Sequence, residues 1–518
     1  IERVGYMGKL KSYIFKMYEN EYWYGPVVND GMKYPLNFNS KYEVDIYPNK
    51  SPNKVNTILL SNKGRYIWCD SGFVLKVYSG VIEILSEKSV PQLYEEGETL
   101  KEAFLHAANK FFKPNGKVPP KSFFTKTQYN TWIELLYDQR EEKILEYANS
   151  IIENGMPKGI IMIDDGWSDY YGRWKFNGEK FKNPKGMINK LHELGFKVML
   201  WTCPFITPDT QEFRYLRDRD CLVKNKDGSV SIKKWWNGYS AVLDLTNPEA
   251  VKWYLDQNDF LIEEYGVDGF KFDAGDASFY SNDDLTYKKI EANEHSKLWA
   301  LLGVNYEFNE FRACFQCAGL PLVQRLADKN HSWEYNGVSS LIPNQLAQGI
   351  LGYSYTCPDM IGWGEYLNFL ENSSNLDEEL FVRYAQCAAL MPMMQFSAAP
   401  WRVLSKENFE ICKKAAWEHV KYSEYIYKLA EESSRSGEPI VRYMEYEFPN
   451  ENLEEIKEQF MLGEKYMIAP NIKKGARKRI VNFPKGKWKY KNDEFIIGPR
   501  IKEFNSPLEE ILIFERVN

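Results

Sequence analysis

Residues 1–118 alternate short β-branched and aromatic runs with Asn, Gly, Ser and Pro, as in Thr57 to Leu60, Tyr66 to Trp68, Phe73 to Tyr78 and Val81 to Leu85. Strands punctuated in this way predict an antiparallel β-sandwich. A Pro/Gly/Lys stretch from Lys113 to Lys121 marks a boundary, and beyond it the period changes. Ile144, Leu145, Ala148, Ile151 and Ile152 recur at helical spacing, Gly155 stops the helix, and the apolar run Gly159 to Ile163 follows. The unit repeats through Met187, Ile188, Leu191 and Leu194, then Gly195, then Phe196 to Trp201. It repeats again from Asn247-Pro248 through Gly266 to the run Gly269 to Phe272.

Candidate strands at Thr125 to Thr131, Gly159 to Ile163, Phe196 to Trp201, Gly269 to Phe272, Glu307 to Arg312, Leu322 to Leu326, Gly352 to Thr356 and Met391 to Phe396 predict a closed (β/α)8 TIM barrel over residues 119–436. An open doubly wound sheet is the alternative that the pattern leaves. Insertions at Thr207 to Ser240 and Ala277 to Ala300 follow the third and fourth strands. From Gly437 the strand-and-turn composition returns, with Glu438-Pro439, Phe483-Pro484 and Lys485-Gly486 as punctuation, and predicts a C-terminal β-sandwich domain over 437–518. The fold expected is thus an α/β barrel flanked by two β domains.

Composition narrows the function classes. Lys and Arg number 66 against 72 Asp and Glu, a net charge of −6 without a basic block, so no nucleic-acid partner is expected. No apolar run approaches the roughly 20 residues of a bilayer-spanning helix, so no membrane partner is expected. No signal-peptide pattern opens the chain, and eight cysteines in 518 residues are too sparse for a disulfide framework. These features together predict a cytoplasmic protein, although a start at Ile1 leaves a preceding segment open. A homo-oligomer is also left open. Aromatics make up 15% of the chain; they suit the C–H faces of sugar rings and large cores equally well.

Reactive groups of a parallel barrel belong at the C-terminal ends of its strands. The residues there are Asp164, Asp165, Trp201, Lys271, Asp273, Arg312, Asp328, Asp359 and Gln395. One Asp at a strand end is usually a turn or a helix cap, but several on one rim repel one another and need a compensating use. Two carboxylates flanking a bond are what glycoside cleavage requires, one at the oxocarbenium-like centre and one protonating the leaving oxygen. Lys271 lies two positions before Asp273, so both face the same side of a strand, and a cation there keeps a carboxylate ionised. Asp328 ends another strand close to His331 and Trp333, and burial against an aromatic would raise its pKa toward an acid role.

Several strings carry a specific resemblance: Gly269-Phe270-Lys271-Phe272-Asp273-Ala274-Gly275-Asp276, the Arg312, Asp328 and Trp333 spacing, Pro358-Asp359-Met360-Ile361-Gly362, and Met391-Pro392-Met393-Met394-Gln395-Phe396-Ser397. They resemble glycoside hydrolase family 31, and within it the branch that contains the myogenesis-regulating glycosidase. Gln459 to Gly463, Ile468 to Pro470 and Phe483 to Trp488 resemble that family's C-terminal β domain. The resemblance implies Asp273 as nucleophile and Asp328 as general acid/base of a retaining mechanism, about 5 Å apart. It implies a sugar-binding role for Arg312 and pocket positions for Asp359 and for Trp236, in Trp236-Asn237-Gly238. Such a mechanism needs no cofactor or metal, and its partner is a small-molecule or oligosaccharide α-glycoside.

Departures from the family's α-glucosidases point to a different sugar. Gln395-Phe396-Ser397 stands where those enzymes carry an Arg-Asn-His run, and Lys271-Phe272-Asp273 replaces their Trp-x-Asp. Lys-x-Asp together with Asp164-Asp165-Gly166-Trp167 looks like α-galactosidases of related families, in which the paired aspartates and the lysine hold the 3-, 4- and 6-hydroxyls. A pocket built for an axial 4-hydroxyl leaves buried polar groups unpaired when a glucoside enters. Terminal α-galactose is therefore the expected substrate, with α-glucosides, α-xylosides, and sulfonated or N-acetylated sugars as alternatives. A transglycosylase and a catalytically silent sugar-binding protein are the remaining rivals. Tyr22-Trp23-Tyr24-Gly25 reads either as a loop reaching over the barrel mouth or as a core cluster. Cys314-Phe315-Gln316-Cys317 lacks the second pair a zinc site needs.

Overall fold

The computed structural model describes residues 10–51, 53–491 and 494–517. Two four-stranded antiparallel sheets form the N-terminal sandwich, one built around Tyr42–Asp45, Val74–Tyr78 and Val81–Ser86, the other around Ile58–Ser61 and Arg65–Trp68. Alternation drives the first of these: Ile82 and Ile84 are fully buried between half-exposed neighbours. The stretch Leu100–Phe111, expected as part of the sandwich, is instead a helix. Thr99 caps it by accepting from the Glu102 amide, and Leu100, Ala103, Phe104, Ala107 and Ala108 form its buried face. That Thr-x-x-Glu start and helical spacing are a local signal that the strand-rich surroundings obscured.

Eight parallel strands follow: β1 (Thr127–Asn130), β2 (Gly159–Ile163), β3 (Lys197–Thr202), β4 (Gly269–Phe272), β5 (Phe308–Phe311), β6 (Gln324–Arg325), β7 (Thr356–Cys357) and β8 (Gln395–Phe396). Their order in the sheet is β7-β6-β5-β4-β3-β2-β1-β8. Just past β7, Ile361 closes the ring, its amide donating to the Gln395 carbonyl and its own carbonyl accepting from the Ser397 amide, both at 2.9 Å. The open-sheet alternative is thereby overturned. The seventh strand lies later than the run Gly352 to Thr356, because Gly352 sits at φ 88° in the turn that leaves the preceding helix.

The insertion after β3 carries a three-stranded sheet of Phe205–Ile206, Ile232–Trp235 and Gly238–Val242. The last part of the stretch expected as an insertion after β4 belongs to a regular barrel helix, Ala292–Leu302. Beyond the long helix Lys406–Ser436, which stops at Gly437 in the left-handed region, the C-terminal strands join in one six-stranded antiparallel sheet. A bulge between Phe483 and Gly486 bends that sheet, and Phe483 and Trp488 on either side of it pack into one apolar core.

Tyr22-Trp23-Tyr24-Gly25 resolves to the core cluster. Trp23 and Tyr24 are buried, and Tyr24 packs on Tyr443 with ring centroids 4.8 Å apart, joining the sandwich to the C-terminal domain. No helix among the described residues is long and apolar enough to cross a membrane.

Candidate active site

Alternate residues of a barrel strand point inward, and most barrels fill that interior with branched aliphatic side chains. Here it is polar. Gln395 on β8 donates through Nε2 to Gln128 on β1 at 3.0 Å and to Glu310 on β5 at 2.7 Å. Glu310 faces the Arg325 guanidinium on β6 at 3.4 Å. One level up, Arg325 Nη1 reaches Asp359 at 2.5 Å and Asp328 at 2.7 Å. A single buried guanidinium thus faces three carboxylates; one positive charge does not balance three, and burial pushes the pKa of Asp359 up to about 7 and that of Glu310 above its ordinary value despite Arg325.

Above this floor opens a cavity of about 500 Å³, within the range of small-molecule sites. Asp164, Asp165, Trp201, Trp236, Lys271, Asp273, Arg312 and Asp328, all expected from the sequence, line it together. β2 delivers Asp164, which accepts from Lys271 Nζ at 2.6 Å and from Asn130 at 2.8 Å. Burial disfavours the Lys271 ammonium, yet Asp164 and then Asp273 hold its pKa above the ordinary lysine value. Asp165 accepts from Asn237 at 2.7 Å and Tyr171 at 3.0 Å; burial, then the adjacent Asp164 carboxylate, push its pKa up to about 7.

Asp273 ends β4. Its carboxylate accepts from Trp201 Nε1 at 2.9 Å and from the Ala274 amide at 2.8 Å, and Arg312 stands 3.6 Å away. Burial works against its ionisation, but Arg312, then Lys271 and Arg325, outweigh it and hold the carboxyl well below the usual range. The chain leaves the strand through Ala274 and Gly275, both at positive φ. A Cβ at Gly275 would sit 2.1 Å from the Trp299 ring, so this turn has room only for glycine. Arg312 is itself fixed, bonded to Asp276 at 2.7 Å and lying over the Trp236 ring at 4.8 Å.

Three expected residues stand outside the cavity wall. Gln395 is in the floor network beneath it, and Asp359 is fully buried behind Arg325, accepting also from the Lys329 amide. Trp333 turns away and donates to Asp377 at 2.9 Å. The aromatic expected to press on Asp328 is therefore absent there, and Asp328 is paired with Arg325 instead. His331 also points elsewhere, 4.6 Å from the Trp363 ring centroid. Conversely, Arg325, Asn237, Trp132, Tyr137 and Tyr366 line the cavity and were not singled out. Arg325 lies inside β6, and the residue just past an apolar run carries no sign of a side chain within the strand. Polar residues inside the barrel strands, Gln128 and Asn130 in Thr127-Gln128-Tyr129-Asn130 and Glu310 in Phe308-Asn309-Glu310-Phe311, are the signal that would have found this interior.

A family model for the glycosyl hydrolases family 31 TIM-barrel domain matches residues 117–429, and the family's C-terminal domain matches 437–518. The chain belongs to glycosyl hydrolase family 31. It is 31% identical over 419 residues to the myogenesis-regulating glycosidase of Mus musculus, an alignment covering 79% of this chain and 58% of that protein. It is 25% identical to the α-xylosidase XylQ of Lactiplantibacillus pentosus, over 72% of this chain and 50% of that one. The chain thus spans about half the length of these relatives. Among solved structures, the family 31 dextranase of Flavobacterium johnsoniae complexed with glucose superposes with a TM-score of 0.84 at 21% identity, covering 98% of this chain and 67% of that one. That likeness is one of fold.

Lys271 is the counter-ion of Asp164 in the cavity lining, which gives a stability prediction. Lys271→Met strands Asp164 with Asn130 as its remaining hydrogen-bond donor among side chains, and an uncompensated buried charge of this kind costs about 3–5 kcal/mol. Urea unfolding monitored by tryptophan fluorescence checks it; an unchanged midpoint contradicts the assignment of Lys271 as counter-ion.

Proposed function

We propose that this family 31 protein is a retaining exo-α-glycosidase that removes terminal α-galactose by double displacement. The observation that carries the reading is the company Asp273 keeps. A buried carboxylate beside Arg312, held ionised and oriented by Trp201 Nε1, is fitted to attack an anomeric carbon. Asp328 lines the same cavity. In the first step Asp273 forms a bond to the anomeric carbon as the glycosidic bond breaks, and Asp328 gives its proton to the departing oxygen. In the second step Asp328 takes a proton from water, the water oxygen bonds to that carbon, and Asp273 leaves. The packed barrel interior closes the floor, so a chain end fits where a chain middle would not.

The galactose preference rests on the chemistry of the cavity lining. Asp164, already paired with Lys271, and Asp165, bonded to Asn237, present several acceptors and a cation at one end of the cavity. Those groups suit a sugar with an axial 4-hydroxyl and a free 6-hydroxyl. The names of an α-glucosidase and an α-xylosidase among the relatives favour a second reading in which the terminal sugar is glucose or xylose. A screen of 4-nitrophenyl α-galactoside, α-glucoside, α-xyloside and α-N-acetylgalactosaminide decides between them. Galactoside is expected to give the highest kcat/KM by at least about tenfold, the scale of one unsatisfied buried hydrogen bond; a glucoside preference overturns the reading of Lys271 and the aspartate pair. NMR of the first-formed sugar should show the α-anomer, and a β-anomer overturns retention.

A further inference from the structure

β5 and β6 are registered through the pair Phe311 and Gln324. Just beyond that pair, at Arg312 and Arg325, a side chain from another domain stands between the two chains. It is Lys54, in the loop that precedes the sandwich strand Ile58–Ser61. The side chain is fully buried, and its Nζ donates to the Arg312 carbonyl at 3.2 Å and to the Arg325 carbonyl. Resting on the reading of Asp273 as nucleophile and Asp328 as acid/base, we infer that Lys54 is a positioning residue for both, fixing the backbone from which Arg312 and Arg325 reach those carboxylates.

The lysine enters from a firm base. The Val55 amide donates to the Cys314 carbonyl at 3.4 Å, so that Val55 bridges Phe315 in parallel along the chain leaving β5. The Val55 carbonyl accepts from the Tyr353 hydroxyl at 2.7 Å, and Asn56 Nδ2 donates to the Leu351 carbonyl at 2.9 Å. Thr57 Oγ1 accepts from Gln316 at 2.7 Å. Residues 54–57 are thus bonded to the barrel on both sides of the point where Lys54 inserts.

Packing alone does not call for a lysine in this slot. An apolar side chain would fill it without desolvating an amine. Burial pushes the Lys54 pKa down to about 7, opposed first by Cys314, and its acceptors are neutral backbone carbonyls. What the amine supplies is two or more N–H donors at one point, and it supplies them charged or neutral. Two carbonyls converging from different strands need that arrangement.

The consequence lies at the other ends of the two arginines. Arg312 stands 3.6 Å from Asp273, and Arg325 meets Asp328 at 2.7 Å. Release of the two carbonyls lets each guanidinium drift from its carboxylate, and a misplacement of about 1 Å at a reacting group costs about 100-fold in rate. Asp164, Asp165 and Lys271, at β2 and β4, do not depend on Lys54. The loss therefore falls on kcat rather than on KM.

The test compares the full-length protein with Lys54→Met, similar in size but without donors, on the 4-nitrophenyl glycoside that the wild type hydrolyses best. Lys54→Met is expected to lose about 10- to 100-fold in kcat, with KM within about threefold. Tyr353→Phe removes another buried hydrogen bond of the same loop, away from both arginines, and should keep kcat and KM within about twofold. Lys54→Gln, whose shorter amide reaches one carbonyl but not both, should fall between Lys54→Met and the wild type in kcat. An unchanged kcat in Lys54→Met, a loss confined to KM, an equal loss in Tyr353→Phe, or a Lys54→Gln no faster than Lys54→Met overturns the clamp. Should Lys54→Met fail to fold, Lys54→Gln decides: a reduced kcat at unchanged KM supports the clamp, and a wild-type kcat overturns it. A wild type that turns over no glycoside overturns the glycosidase reading and the clamp with it. A preference for glucoside overturns the galactose reading alone, and the comparison then runs on the glucoside.

Discussion

Asp273→Asn is expected to abolish glycoside turnover, lowering kcat by roughly four to six orders of magnitude, the scale on which removing a covalent nucleophile acts. The fold should survive. Asn keeps the volume and one acceptor oxygen, so it can accept from the Ala274 amide or from Trp201 Nε1 but not from both as the carboxylate does. Arg312 loses one carboxylate but retains Asp276 at 2.7 Å, and Lys271 retains Asp164 at 2.6 Å. No cation is stranded, so circular dichroism should match the wild type and the melting midpoint should move by no more than the loss of about one hydrogen bond. Undiminished turnover in a pure preparation refutes Asp273 as nucleophile. Wild-type activity on none of the glycosides, with the cavity intact, would instead favour the silent sugar-binding reading.

How much of this was legible beforehand follows from where the information resides. The barrel was readable because β2 is an uninterrupted apolar run and β3 carries one from Val198 to Trp201, each preceded by an amphipathic helix with a glycine stop, as at Gly155 and Gly195. Rim residues such as Asp164 and Asp273 were readable because strand ends are marked by the loss of hydrophobicity. The polar interior was harder to see. Gln128, Glu310, Arg325 and Gln395 find partners on strands up to 267 positions away in sequence, and no local period encodes that pairing.

Trp333 shows the same limit from the other side. Proximity in sequence placed it beside Asp328, yet the loop turns its indole toward Asp377, which belongs to another loop. A charge rather than an aromatic face is what Asp328 meets. The sandwich's contribution was hidden for a similar reason: the segment 27–51 reads as ordinary strand and turn, and only docking against the barrel turns it into a wall beside Asp328.

Asp328→Ala carries the second large effect, and its pattern across substrates matters more than its size. In the first step Asp328 gives its proton to the leaving oxygen, so a glycoside whose alcohol departs reluctantly should lose about 10²- to 10⁴-fold in kcat/KM. A glycosyl fluoride, which leaves without that proton, should lose little. The second step still lacks its base, so the glycosyl-enzyme should accumulate with activated substrates and kcat should fall even where kcat/KM holds. Azide, a nucleophile that needs no deprotonation, should restore kcat and yield a glycosyl azide. Structural damage would not discriminate in this way. It is also not expected, because Arg325 keeps Asp359 at 2.5 Å and Glu310 at 3.4 Å when Asp328 is gone. Equal losses for fluoride and disaccharide, with no rescue by azide, would remove Asp328 from the acid/base role and leave it as a partner of Arg325.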